Sequence, residues 1–118
     1  MSSVHDTVNY RVTQGDTFPL TLTYKDPAGV AINLTGYTFR LEVKENFGGE
    51  VLSAVCTLGD GITVADVTTG VINISISSAK TNKFNYPRSA FQLQATDQYG
   101  KKTTLLQGWF IVNAGVIN

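Results

Sequence analysis

Five stretches of the chain alternate apolar and polar residues with a period of two: Phe18-Leu20-Leu22-Tyr24, Phe39-Leu41-Val43, Ile72-Ile74-Ile76, Phe91-Leu93-Ala95 and Leu106-Gly108-Phe110-Val112. Successive side chains of a strand point to opposite faces, so each stretch reads as a strand with one buried and one wet face. Turn residues separate them. Gln14-Gly15-Asp16, Lys25-Asp26-Pro27-Ala28-Gly29, Asn33-Leu34-Thr35-Gly36, Gly59-Asp60-Gly61 and Asp97-Gln98-Tyr99-Gly100 each supply residues that bend a backbone. Shorter strands are expected at Val8–Val12, Val30–Ile32, Val51–Leu58 and Ile62–Val64, the last forming a hairpin with Val71–Ser77. Ser77 or Ser78 can cap one helical turn that Pro87 prevents from continuing. About eight strands at this spacing predict an all-β chain, an immunoglobulin-like antiparallel β-sandwich with one short helical turn. Pro19 places its strand at a sheet edge or near a strand start.

At 118 residues the chain has the length of one domain, expected over 8–118 behind a flexible N-terminal arm at 1–7. Nine basic residues balance nine acidic ones, and the longest basic cluster is Lys101-Lys102, so no net field favours nucleic acid or an anionic membrane. The single cysteine, Cys56, excludes an intrachain disulfide and reads as a small buried hydrophobe. Met1–Thr7 lacks the apolar core of a signal peptide, and no apolar run reaches the roughly 18 residues that cross a bilayer. Synthesis in a reducing cytoplasm is the expectation.

Chemistry-bearing patterns are sparse. His5 is the single histidine, with neither a second histidine nor a cysteine nearby, so a metal site or a histidine-based triad lacks its parts. Asp60 and Asp66 stand in turns without a calcium-loop spacing. The eleven glycines punctuate strands and build no phosphate-binding loop. Asn33-Leu34-Thr35 and Asn73-Ile74-Ser75 match the glycosylation pattern, but Asn73 reads as the outward residue between two inward isoleucines. No catalytic, cofactor-binding or metal-binding residue is therefore assigned. Three aromatics fall outside the inward pattern: Phe47 and Tyr99 in turns, and Trp109 out of phase with Gly108 and Phe110. Trp109 faces outward unless Gly108 introduces a bulge, and these three residues are the candidate partner interface.

The last third of the chain carries Ser78-Ala79-x-Thr81, Ala90-Phe91-Gln92-Leu93-Gln94-Ala95, Thr96-Asp97-Gln98-Tyr99-Gly100, Thr103-Thr104-Leu105-Leu106-Gln107-Gly108, Phe110-Ile111-Val112 and Ala114-Gly115-Val116. The N-terminal half adds Gln14-Gly15-Asp16-Thr17-Phe18, Asp26-Pro27-Ala28-Gly29 and Asn33-Leu34-Thr35-Gly36-Tyr37. Together, over roughly residues 10 to 116, they resemble small virion proteins of tailed bacteriophages and prophages. They are also similar to the N-terminal anchoring domain of phage upper baseplate proteins. The resemblance implies a non-enzymatic structural protein of the virion, a capsid decoration or a collar, tail or baseplate adaptor. Its implied partners are other virion proteins and further copies of itself, with no nucleic acid and no membrane. The alternative reading is an immunoglobulin-like or carbohydrate-binding recognition module acting at the host surface.

Overall fold

The computed structural model describes residues 6–49 and 52–115, and within them the alternation becomes eight strands and one turn of helix. These are β1 (Asp6–Thr13), β2 (Phe18–Thr23), β3 (Thr38–Lys44), β4 (Leu52–Leu58), β5 (Gly61–Asp66), β6 (Val71–Ile76), α1 (Ser78–Thr81), β7 (Arg88–Thr96) and β8 (Lys102–Asn113). All eight strands join one mixed sheet in the order β1-β8-β7-β3-β4-β5-β6-β2. The sheet curls until its two edges approach, with the rings of Tyr10 on β1 and Phe18 on β2 5.7 Å apart. The result is a nearly closed, barrel-like all-β molecule. Pro19 sits on the edge strand β2, the position that its missing N–H allows.

Two of the joints are unusual. The first is the corner between β4 and β5, where only Thr57↔Gly61 and Leu58↔Ile62 pair, in parallel. Reciprocal bonds close it: Thr57 N–H donates to the Asp60 carbonyl at 3.0 Å and Asp60 N–H to the Thr57 carbonyl at 2.9 Å. Gly61 has φ +96, and a Cβ there would lie 2.8 Å from Cys56 Sγ, so both conformation and space require glycine. The second is the parallel pairing of β1 with β8, in register from Asp6↔Leu106 to Thr13↔Asn113. Here the Val8 backbone lies directly over Gly108, where a Cβ would come within 1.6 Å of the Val8 carbonyl oxygen.

Inward residues of the central strands form the core. Phe39, Leu41 and Val43 of β3, Ile72, Ile74 and Ile76 of β6, Phe91 and Leu93 of β7 and Phe110 and Val112 of β8 are all buried. Phe110 is its centre, stacked on Phe91 at 4.4 Å and on Phe84 at 5.2 Å. A fully buried side chain of this size contributes roughly 1.5–3 kcal/mol. The inward residues of β2 are only half buried, as an edge strand allows.

α1 is capped by Ser77, whose hydroxyl accepts from Lys80 N–H at 3.3 Å. Its buried Thr81 fastens the β1–β2 turn: Thr81 Oγ1 accepts from Gly15 N–H at 3.1 Å and donates to the Asp16 carbonyl at 2.8 Å. Gln14 Nε2 adds a bond to the Phe84 carbonyl at 2.9 Å.

Several expectations change. The expected sandwich is a single continuous hydrogen-bonded sheet, because the β4–β5 corner carries the pairing from one half to the other. The strand at Val30–Ile32 reduces to one bridge, Lys25↔Ala31, because the Asp26–Val30 turn closes too tightly for a longer ladder. β1 begins at Asp6, within the span 1–7 expected as an arm, and Met1–His5 lie outside the described residues. The bulge falls between Leu93 and Gln94, opposite Leu105, rather than at Gly108.

Candidate functional site

The register of β7 and β8 sets what surrounds Trp109. Without a bulge, counting back from the Thr96↔Lys102 pair would place Ser89 opposite Trp109. The extra residue Leu105 shifts the ladder by one, so Ala90 faces Trp109 and Arg88 faces Ile111. Arg88 thereby becomes the diagonal neighbour of Trp109 on the outer face. Its guanidinium carbon lies 4.1 Å from the indole centroid. Phe47, from the segment after β3, meets the indole in an edge-on arrangement, with centroids 5.1 Å apart and planes at 83°. On the β1 side, Trp109 N–H donates to Asn9 Oδ1 at 3.3 Å.

This is a surface anchor with a charged cover. Trp109 is half buried and Phe47 and Arg88 are exposed, so the aromatic faces lie near the surface while remaining fixed in position. A cation–π contact of this kind is worth about 0.5–1 kcal/mol at an exposed site. A shallow hollow beside it is lined by Glu42, Lys44, Asn46, Phe47 and Gln92. Glu42 is ion-paired to Arg40 and, at 3.6 Å, to Lys44. The Arg40 hydrogen bond is the main reason its carboxyl sits below the ordinary range.

Tyr99 belongs elsewhere. It stands at the tip of the β7–β8 hairpin, 87% exposed, while Trp109 lies seven residues beyond Lys102, where β8 starts, about 23 Å along the strand from there. The structure therefore brings together Phe47 and Trp109 of the three expected interface residues and separates Tyr99 from them. The tip is rigid: Asp97 Oδ1 accepts from both Tyr99 N–H and Lys101 N–H at 2.9 Å. Across from it lies the Asn33–Tyr37 turn, where Asn33 Oδ1 accepts from Thr35 N–H at 2.9 Å and from its hydroxyl at 2.7 Å. The two turns enclose an open groove of about 360 Å³, lined by Asn33, Thr35, Tyr37, Asp97, Gln98 and Tyr99. Burial raises the Tyr37 phenol above its ordinary pKa, and the negative charges of Tyr24 and Asp97 add to this.

Lys80 and Asp66 are committed to structure. Lys80 Nζ donates to the Val55 carbonyl and to Asp60 Oδ1, both at 2.8 Å, and approaches Cys56 Sγ at 3.7 Å. Burial pushes the Cys56 thiol up despite that ammonium. Asp66 caps its own turn through Thr68 and Thr69. Among the described residues no group of three or more His, Cys, Asp or Glu could hold a metal ion. Nor is any described helix long and apolar enough to cross a membrane. Sequence reasoning missed Arg88, whose place depends on a bulge that alternation does not reveal, and the groove, whose two rims are 60 residues apart.

No protein-family model matches the chain, and no curated protein is significantly similar to it. Fold and site together describe an all-β domain with a fixed aromatic–guanidinium anchor on one outer face and a polar groove at one end.

Proposed function

We propose that the chain is a non-enzymatic structural protein of a bacteriophage particle, either a capsid decoration or a collar, tail or baseplate adaptor. It is made in the host bacterial cytoplasm, binds other virion proteins and assembles as a homo-oligomer. Within this reading the curled sheet is immunoglobulin-like, a layer of β1, β8, β7, β3 and β4 facing a layer of β5, β6 and β2. The sequence resemblance supplies the class of protein.

The observation that most supports a binding role is the Phe47–Trp109–Arg88 cluster on the outer face. Tryptophan and arginine dominate the energetic centres of protein interfaces, and a prefixed pair loses little side-chain freedom on docking. Mass spectrometry of purified particles, with immunogold labelling of intact ones, tests the proposal. The protein is expected in stoichiometric amounts, with label on the head surface for a decoration or at the neck or tail tip for an adaptor. Trp109→Ala is expected to reduce incorporation at least tenfold while leaving the free domain folded. Particles that lack the protein would overturn the reading.

A further inference from the structure

The groove between the Asn33–Tyr37 turn and the hairpin tip combines features that suit one class of small molecule. Tyr99 offers a ring that is 87% exposed and packs against no other aromatic among the described residues. Such a ring presents an apolar face on which the C–H face of a pyranose can stack. Around it stand groups for hydroxyls. Asn33 and Asp97 each use Oδ1 to close their own turns, which among the described residues leaves the Asn33 amide nitrogen and the second Asp97 oxygen without a bond. One is a donor and the other an acceptor, and both are held by rigid turns.

Gly36 packs against Gln98, where an added Cβ would lie 2.9 Å from Gln98 Cβ, so the two rims are locked at close range. No lysine, arginine or histidine lines the groove, and Asp97 would repel an anion. The lining also lacks the aliphatic side chains that a lipid tail would need. Its volume of about 360 Å³ lies at the small end of ligand sites, with room for a short saccharide.

We infer that this groove binds a neutral saccharide, which stacks on Tyr99 and exchanges hydroxyl hydrogen bonds with the Asn33 amide and the Asp97 carboxylate. The site lies at the opposite end of β8 from Trp109 and stands independently of the particle role. The test is a ¹⁵N–¹H NMR titration of the full chain with three probes: maltotriose, the N-acetylglucosamine trimer and a galacturonate trimer. At least one neutral trimer should shift the amides of residues 33–37 and 97–100, with Kd on the order of 1 mM, typical of a small open site. The galacturonate trimer should bind at least tenfold more weakly. Tyr99→Ala should weaken the neutral ligand at least tenfold with the rest of the spectrum unchanged. Asn33→Asp, which keeps the oxygen that Thr35 bonds but removes the amide donor, should do the same. The absence of shifts at these amides with either neutral trimer would overturn the assignment. So would shifts that survive Tyr99→Ala, or equal binding of the acidic trimer.

Discussion

Gly108 controls the attachment of the first strand. Alanine there would bring a methyl group to 1.6 Å from the Val8 carbonyl oxygen, and an atom of a paired backbone cannot swing aside as a side chain can. Gly108→Ala is expected to destabilise the fold by about 3 kcal/mol and to loosen β1 first. Urea unfolding checks the magnitude; a change within about 0.5 kcal/mol, as at ordinary surface positions, would contradict the close approach. Thr81 tests a different contact. Thr81→Val keeps the shape of a buried side chain but strands the Gly15 N–H and the Asp16 carbonyl. The expected loss is about 2 kcal/mol, and Thr81→Ser, which keeps the hydroxyl, should retain more of the stability by the same measurement.

Among the elements, β7 and β3 are paired along both edges, whereas β1 and β2 are paired along one. Native-state hydrogen exchange should therefore be slowest in β7 and β3, and the amides of β2 that face away from β6 should exchange fastest among strand positions. Uniform protection across the sheet would indicate that something else covers the β2 edge. This same contrast explains what the residues disclosed in advance. Alternation marks Phe39-Leu41-Val43 and Ile72-Ile74-Ile76 as inward, and the structure buries all six. Pro19 marks an edge because its chemistry forbids a central place. Alternation says nothing of register, however, so the Leu105 bulge and the Arg88–Trp109 contact that it creates stay hidden. The exposure of Phe47 and Tyr99 was readable from their turns; that Phe47 reaches Trp109 while Tyr99 does not depends on where β3 ends relative to β8. The continuity of the sheet was equally unreadable, because it rests on two residue pairs at the Gly59-Asp60-Gly61 corner.

For the molecule as a whole, the titrating groups predict a stability plateau with two falling sides. Glu42, chiefly through Arg40, and Asp66, chiefly through Thr68, are held below their ordinary values of 4.5 and 3.8. Their contribution is present above those values and is lost as the pH falls through the lowered ones. Burial holds Cys56, Tyr10 and Tyr37 above their ordinary 9.0 and 10.0. Burial, the largest influence on Lys80, would depress it, but the bonds and charges of Asp60 and Cys56 together outweigh it and raise the ammonium above 10.5. These contributions are complete below the ordinary values and are lost as the pH climbs through the raised ones. Urea midpoints should be level between about pH 5 and pH 9 and decline on either side. Cys56→Ala should delay the onset of the alkaline decline to about pH 10; an unchanged profile would remove the thiol from the account. The parallel pairing of β1 with β8 has a mechanical consequence. Asp6 opens β1 beside Leu106, and Asn113 closes β8 beside Thr13, so the two outer ends of the pair lie about 23 Å apart along the strands. Tension applied at those ends slides the strands past one another and strains the evenly spaced ladder all at once, whereas an antiparallel pair joined at one end would unzip bond by bond. Single-molecule stretching should show one abrupt rupture, at lower force in Gly108→Ala, and a gradual low-force extension would contradict it. Pulled along its length, the domain is a link that carries load in shear.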